Sequence, residues 1–264
     1  MYNISFKAYN NKKLKQIHRN INTSAWIWNH IISLQKRHYK LYGKFINVNK
    51  LQKHIAKLRN KNLRWKELNS QSVQEICQRS DNAYKRFFKK LAKRPPKFKK
   101  AKAFNSFVLK QSGWKIKENV LTIGKVNYKF SKSREYENIK RIIVKRNKFG
   151  EIFFILCCDF KPIKFERVGD SAIGMDFGMK SYLTLSNGQE IKSPEFLKQN
   201  LKLIQSLNKA FSKKRKCSNN RKKALNKLQK VHNDVFNKRT DFEWKLAHEL
   251  CKHNSFIAIE DLNL

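Results

Sequence analysis

The sequence predicts an α+β protein of several domains, and three observations carry that prediction. A long stretch without proline has apolar residues recurring every three or four positions. A following stretch has them recurring every two. A third region opens on a strand, runs through long helices and returns to a strand.

The helical stretch runs from Leu14 to Phe88, with Leu14, Ile17, Ile21, Ala25, Trp28 and Ile32 on one stripe and Val73, Ile76, Ala83 and Phe87 on another; the first proline is Pro95. Gly43 and the pair Asn47 and Asn49 interrupt it, which predicts three or four helices. At Lys93–Lys102 the text becomes K-R-P-P-K-F-K-K-A-K, and the two prolines end helix formation. Beyond it, Phe107 and Leu109, Ile116, Leu121 and Ile123, Tyr128 and Phe130, and the runs 139–145 and 152–160 read as five or six strands with polar turns. A small antiparallel barrel is the economical arrangement of these, with Met1–Phe6 as a further strand.

After a connector at Lys164–Asp170, S-A-I-G-M-D-F-G reads as an apolar strand ending at Asp176, then a second strand at Ser181–Leu185 and a turn at Asn187 and Gly188. From Pro194 to Asn254 two helical stripes follow, Leu197 to Phe211 and Leu228 to Leu250, joined by the basic segment Ser212–Lys223. The last element is the strand F-I-A-I-E-D-L-N-L.

Composition narrows the partner. Sixty Lys and Arg stand against nineteen Asp and Glu, a net charge of +41 spread along the whole chain. Charge of that size repels itself in a compact fold, whereas a phosphate backbone turns it into affinity through counterion release. The 19 Phe and 5 Trp argue against a disordered basic tail. Five cysteines without paired spacing suggest neither a disulfide framework nor a zinc ribbon, which fits a reducing cytoplasm. No apolar run approaches the roughly 20 residues of a membrane span, so no membrane partner is expected.

Asp176 and Glu260 carry the clearest chemistry. Each stands near the end of an apolar strand, and the order strand, hairpin strand, short strand, long helices, strand is that of an RNase H-like fold, whose first and fourth strands are neighbours. Taken singly, each residue reads as a cap or turn former. As a pair at buried strand ends in so basic a chain, they read as ligands for a hard divalent cation such as Mg2+ acting on a phosphodiester. Gln71, Gln74 and Gln78 form a polar helical stripe suited to base edges in a major groove, and equally to a solvated face. Lys97, Phe98, Lys99 and Lys100 place a ring among cations and read as a phosphate contact.

The motifs resemble a family. G-M-D-F-G-M-K-S-Y-L-T-L-S-N-G is similar to the first RuvC motif of the TnpB-type transposon proteins, relatives of the type V CRISPR effectors, and I-A-I-E-D-L-N-L is similar to their second. L-N-S-Q-S-V-Q-E-I-C-Q-R-S-D-N-A-Y-K-R-F-F, P-P-K-F-K-K and R-K-K-A-L-N-K-L-Q-K-V-H-N-D-V-F-N-K-R-T-D-F follow that family's blocks in the same order. The resemblance implies a wedge β-barrel at 1–8 and 104–166, a helical recognition lobe at 9–103, and a partial RuvC domain at 167–264 with an incomplete RNase H-like fold. It implies Asp176 and Glu260 as catalytic carboxylates holding Mg2+, and guide RNA and double-stranded DNA as partners.

Full-length relatives continue into a four-cysteine zinc ribbon and a third motif bearing a final catalytic Asp. The expectation is therefore a C-terminally truncated member without zinc, deficient in cutting unless a separately encoded C-terminal segment joins it. The alternative is a non-catalytic regulator of transposition that binds RNA or DNA.

Overall fold

The computed structural model describes residues 2–159, 168–178 and 181–260. The chain divides into two compact units, Met1–Lys161 and Pro162–Leu264. Three sequence expectations lie outside the described residues: the strand end at Phe160, the start of the connector at Lys164 with the domain boundary at 166/167, and the last residues of the closing strand, Asp261–Leu264.

The first unit opens with strand β1 (Tyr2–Lys7) and four helices, α1 (Leu14–Tyr42), α2 (Val48–Lys61), α3 (Leu63–Lys66) and α4 (Ser70–Phe88). The interruptions seen in the sequence have local causes. Gly43 closes α1 in the left-handed conformation (φ 64°), its N–H bonded to the Tyr39 carbonyl at 2.8 Å. Asn47 caps α2 by accepting from the N–H of Asn49, and Asn69 caps α4 by accepting from that of Gln71.

Six strands follow: β2 (Ser106–Leu109), β3 (Trp114–Lys117), β4 (Val120–Ile123), β5 (Val126–Lys129), β6 (Ile139–Arg146) and β7 (Ile152–Cys158). They form two antiparallel sheets, β1-β7-β6-β2 and β3-β4-β5. An isolated bridge pairs Ala8 with Phe130.

The sheets are not closed into the barrel expected from the sequence. Closure would need β2 to offer its outer edge to β3, but α4 already uses that edge. The Ser72 hydroxyl donates to the Val108 carbonyl at 2.6 Å, and the Arg79 guanidinium donates to the Ser106 carbonyl at 3.4 Å. Beyond β2 the chain is drawn the same way, the Ser112 N–H donating to the Gln71 side chain at 3.1 Å. Helix side chains thus satisfy and cover a strand edge that would otherwise be open to pairing.

Helices and sheets of this unit share one hydrophobic core. Ile17, Ile21, Ile31 and Ile32 of α1 are fully buried in it, as are Leu51 and Ile55 of α2, and Phe6, Phe107, Phe130 and Phe154 enter it from the strand side. Phe130 is central, 5.3 Å from Phe6 and 6.0 Å from Phe154 between ring centroids.

The second unit holds β8 (Ser171–Asp176), β9 (Leu183–Leu185), β10 (Glu190–Ile191), α5 (Phe196–Ser212), α6 (Asn219–His253) and β11 (Asn254–Ile259). Its sheet has the order β10-β9-β8-β11, with β8 and β11 parallel and the other pairs antiparallel. Ile173, Leu185 and Leu250 are its buried cluster, with Met175, Leu246 and Ile257 against them. The buried Asn254, at the junction of α6 and β11, donates to the Leu250 carbonyl at 2.8 Å and accepts from the Ser171 hydroxyl at 2.9 Å, tying the helix end to β8. Gly169 is required beside it, because a Cβ there would stand 2.4 Å from the His253 carbonyl oxygen.

Two outcomes follow from this packing. On α1, the Nε2 atom of His30 is buried without a hydrogen-bond partner, and its ring lies between His54 (6.0 Å, stacked) and Trp65 (5.5 Å, edge-on). Burial first, then His54 and Arg37, holds its pKa below the ordinary 6.5. The folded state therefore refuses a proton that the unfolded chain takes below about pH 6.5, and stability falls as pH drops through that value. Denaturant titrations at descending pH should show this loss, and His30→Phe should reduce its slope. The second outcome concerns β11, which is paired on one side only among the described residues. Its amides should exchange hydrogen faster than those of β7, which lies between two strands; equal protection in the isolated chain would contradict this.

Candidate nuclease site and nucleic-acid surfaces

The parallel pairing of β8 with β11 brings Asp176 and Glu260 together. Ile173 pairs with Ile257 and Met175 with Ile259, so Asp176 and Glu260 come next in register at the C-terminal ends of neighbouring strands. Alternation along the strands puts both carboxylates on the face opposite Ile173, Met175 and Ile257, which pack toward α6. A shallow concavity there is lined by both carboxylates, by Thr184 and by Ser186.

One expectation about the pair needs correction. The sequence reading put these carboxylates at buried strand ends, whereas both are exposed. The physical reason is that the unit's apolar cluster forms on the other face of the sheet, and on their own face Phe256 is 64% exposed. Among the described residues neither carboxylate takes part in an ion pair, in a chain with 60 cationic side chains. Two free carboxylates at adjacent strand ends, flanked by hydroxyls, are an all-oxygen donor set and fit a hard divalent cation. Among the described residues they are not joined by a third His, Cys, Asp or Glu.

Sequence reasoning missed Thr184 and Ser186. Thr184 is opposite Asp176 in the β8–β9 register, and the Ser186 hydroxyl accepts from the Gly174 N–H at 3.0 Å. Their signal was the alternation of T-L-S, in which the hydroxyls at 184 and 186 fall on the face opposite Leu183 and Leu185.

The glutamine stripe on α4 is divided by its contacts. Gln71 accepts from the Ser112 N–H, and Gln78 donates to Asn82 at 3.2 Å. Gln74 is exposed and faces a groove between α2 and α4 together with Asn49, Gln52, Lys53 and Arg59. The amide and cation content of that groove was not legible, since it depends on which face of α2 meets α4.

The segment around Phe98 is anchored on α1. The Trp28 indole donates to the Lys97 carbonyl at 3.0 Å, and the Asn29 side chain both donates to the Lys99 carbonyl (2.9 Å) and accepts from its N–H (2.8 Å). The Lys99 ammonium lies 5.0 Å from the Trp28 ring, and Lys36 lies 4.9 Å from the Phe98 ring. Backbone anchoring leaves the ammonium groups of Lys97 and Lys100 free of ion pairs among the described residues. Among the described residues no helix is long and apolar enough to cross a membrane.

Known proteins resemble this arrangement. Residues 156–264 match the OrfB_IS605 family, described as a probable transposase. The chain is 25% identical over 243 residues to InsQ of Escherichia coli K12, covering 90% of this chain and 60% of that protein. It is 29% identical over 203 residues to a Streptomyces pristinaespiralis protein, covering 75% and 50%. Both are named as RNA-guided DNA endonucleases, and the chain spans half to three-fifths of their length. Among solved structures, Cas12f1 in a complex with guide RNA and target DNA shares the fold at a TM-score of 0.56 and 14% identity, over 96% of this chain and 66% of that one. Residues 156–264 thus match the family described as a probable transposase, and most of the chain is similar to proteins named RNA-guided DNA endonucleases.

Proposed function

We propose that this chain is the nucleic-acid-binding part and a portion of the nuclease domain of an RNA-guided double-stranded DNA endonuclease. The observation that carries the reading is the juxtaposition of Asp176 and Glu260, unpaired with any cation among the described residues, at the ends of the parallel strands β8 and β11. The names of InsQ and of the Streptomyces protein support the substrate class. In this reading the helical block is the recognition lobe at 9–103, the strands of 1–8 and 104–166 form the wedge, and 167–264 is part of a RuvC domain.

Asp176 and Glu260 are the residues that would hold Mg2+, which when bound polarises phosphate oxygens and lowers the pKa of a coordinated water. The chain's own contribution is geometric: strand register fixes the carboxylate spacing, and the Thr184 and Ser186 hydroxyls line the approach to it. In-line displacement with two ions needs more donors than this pair supplies. The reading is therefore that these 264 residues bind guide and target without cutting them, and that a further segment bearing another carboxylate, encoded with this chain or separately, is needed for cleavage. Gln74 and its groove are assigned to reading bases beside the target, and Lys97, Lys99 and Lys100 to phosphates.

Two experiments test it. RNA should co-purify with the protein, and affinity should fall by orders of magnitude from low to moderate salt, as release of counterions requires. A preparation free of nucleic acid and soluble at low salt would contradict an RNA-binding role. For the nuclease site, the chain with guide RNA and matching target should form a complex without measurable cleavage, and a relative's C-terminal segment should restore cutting. Asp176→Ala should abolish the restored cleavage while leaving RNA affinity within about twofold, since the carboxylate serves the metal and not the guide. Robust Mg2+-dependent cutting by the 264 residues alone would show that another acidic group completes the site.

A further inference from the structure

Where α1 ends, the chain folds back and is fixed by side chains rather than left as a loose loop. The buried Gln35 donates to the Ile46 carbonyl at 3.0 Å and accepts from the Ile46 N–H at 2.9 Å, and His38 Nδ1 lies 2.6 Å from the Lys44 carbonyl oxygen. These bonds set Phe45 into a group of rings, with centroids 4.6 Å from Tyr39, 4.7 Å from Tyr84 and 5.0 Å from Phe88. Tyr42 adds a ring 4.8 Å from His38. Tyr84 is buried beneath the group, but its outer rings are open: Tyr39 is 50% exposed, Phe88 54% and Tyr42 66%.

The charge around the rings has one sign. Lys40, Lys44, Lys89 and Lys90 are exposed and take part in no ion pair among the described residues, whereas Asp81 of α4 is already paired with Lys85 at 2.8 Å. A second copy of the chain would bring two unpaired lysine sets together, so self-association is disfavoured. A duplex offers phosphates but keeps its base faces stacked inside. An unpaired strand offers both the anions for the lysines and flat faces for the rings.

We propose that the aromatic group at the end of α1 and α4 is a stacking platform for unpaired bases of single-stranded RNA, with Lys40, Lys44, Lys89 and Lys90 on its phosphates. The choice of RNA over single-stranded DNA rests on the RNA-guided reading above. Placement of the platform rests on the rings and cations alone. Gln35 and His38 fix the backbone on both sides of Phe45, so this part of the platform needs little ordering on binding, which favours affinity.

The test uses the full chain and a short oligoadenylate RNA carrying a central 2-aminopurine. Wild type should quench its fluorescence and bind it more tightly than the matching RNA duplex or single-stranded DNA. Tyr39→Leu and Phe88→Leu keep apolar volume in place, and each should weaken single-strand binding roughly tenfold. Each should leave duplex affinity and the salt dependence unchanged, because no charge is removed. Equal loss for single strand and duplex, or no loss at all while wild type still binds RNA, would overturn the platform and leave the RNA-guided reading intact. Tighter binding of single-stranded DNA would overturn the choice of RNA, and concentration-dependent dimerisation abolished by Phe88→Leu would make this face a self-association surface instead. Absence of any RNA binding by wild type would overturn both readings.

Discussion

The candidate nuclease site depends on one pairing, that of β8 with β11. Parallel strands cannot be joined by a tight turn and need a long crossover, which here is the chain from Phe177 to His253 with its hairpin and two helices. Register then decides the chemistry. With Met175 opposite Ile259, Asp176 and Glu260 share a face; a slip of one residue would send one carboxylate toward the apolar side against α6. Asn254 resists that slip by bonding at once to the Leu250 carbonyl in α6 and the Ser171 hydroxyl in β8. A fold contact far from the carboxylates thereby sets their spacing.

The excess of cations imposes a second constraint. Among the described residues few lysines and arginines have acidic partners, and pairs such as Lys245 with Asp241 are exposed and contribute little. Arg146 is an exception of another kind, donating to the Ala101 and Phe104 carbonyls, where burial lowers its pKa from the usual guanidinium range. Arg221 similarly donates to the Phe211 and Lys214 carbonyls at the end of α5 and lies 4.1 Å from the Phe211 ring. These arginines hold backbone in place. Most of the remaining positive charge has no internal counterpart, and a polyanion would supply what the chain lacks.

Much of this was legible because periodicity reports burial directly. Leu14, Ile17, Ile21, Ala25, Trp28 and Ile32, read as one stripe, are all buried on α1. Tyr128 and Phe130, read from alternation, are buried as well. The adjacency of Asp176 and Glu260 was legible from element order. Closure of the strands was not, because it turns on Ser72 and Arg79 reaching β2 carbonyls 36 and 27 residues further along the chain. Local pattern also could not show that Gln71 spends its side chain on Ser112, or that Phe45 is carried into a ring cluster by Gln35. The first spans 41 residues and the second 11 across a chain reversal, and neither follows a helical or strand period.

The two units also differ in how much apolar surface they bury, and this bears on the site. The first has a broad core fed by helices and sheets together, whereas the sheet of the second rests on Ile173, Leu185 and Leu250 and leaves Phe256 and Ile259 more than half exposed. Glu260 stands just beyond β11, a strand held on one side only among the described residues. A cation bound between Asp176 and Glu260 would bind the paired strands and not the separated ones, so ligation and sheet order would reinforce each other by mass action. On that account such a cation would help to fix the carboxylate pair, whereas the well-packed core of the first unit would need no such ligand to form.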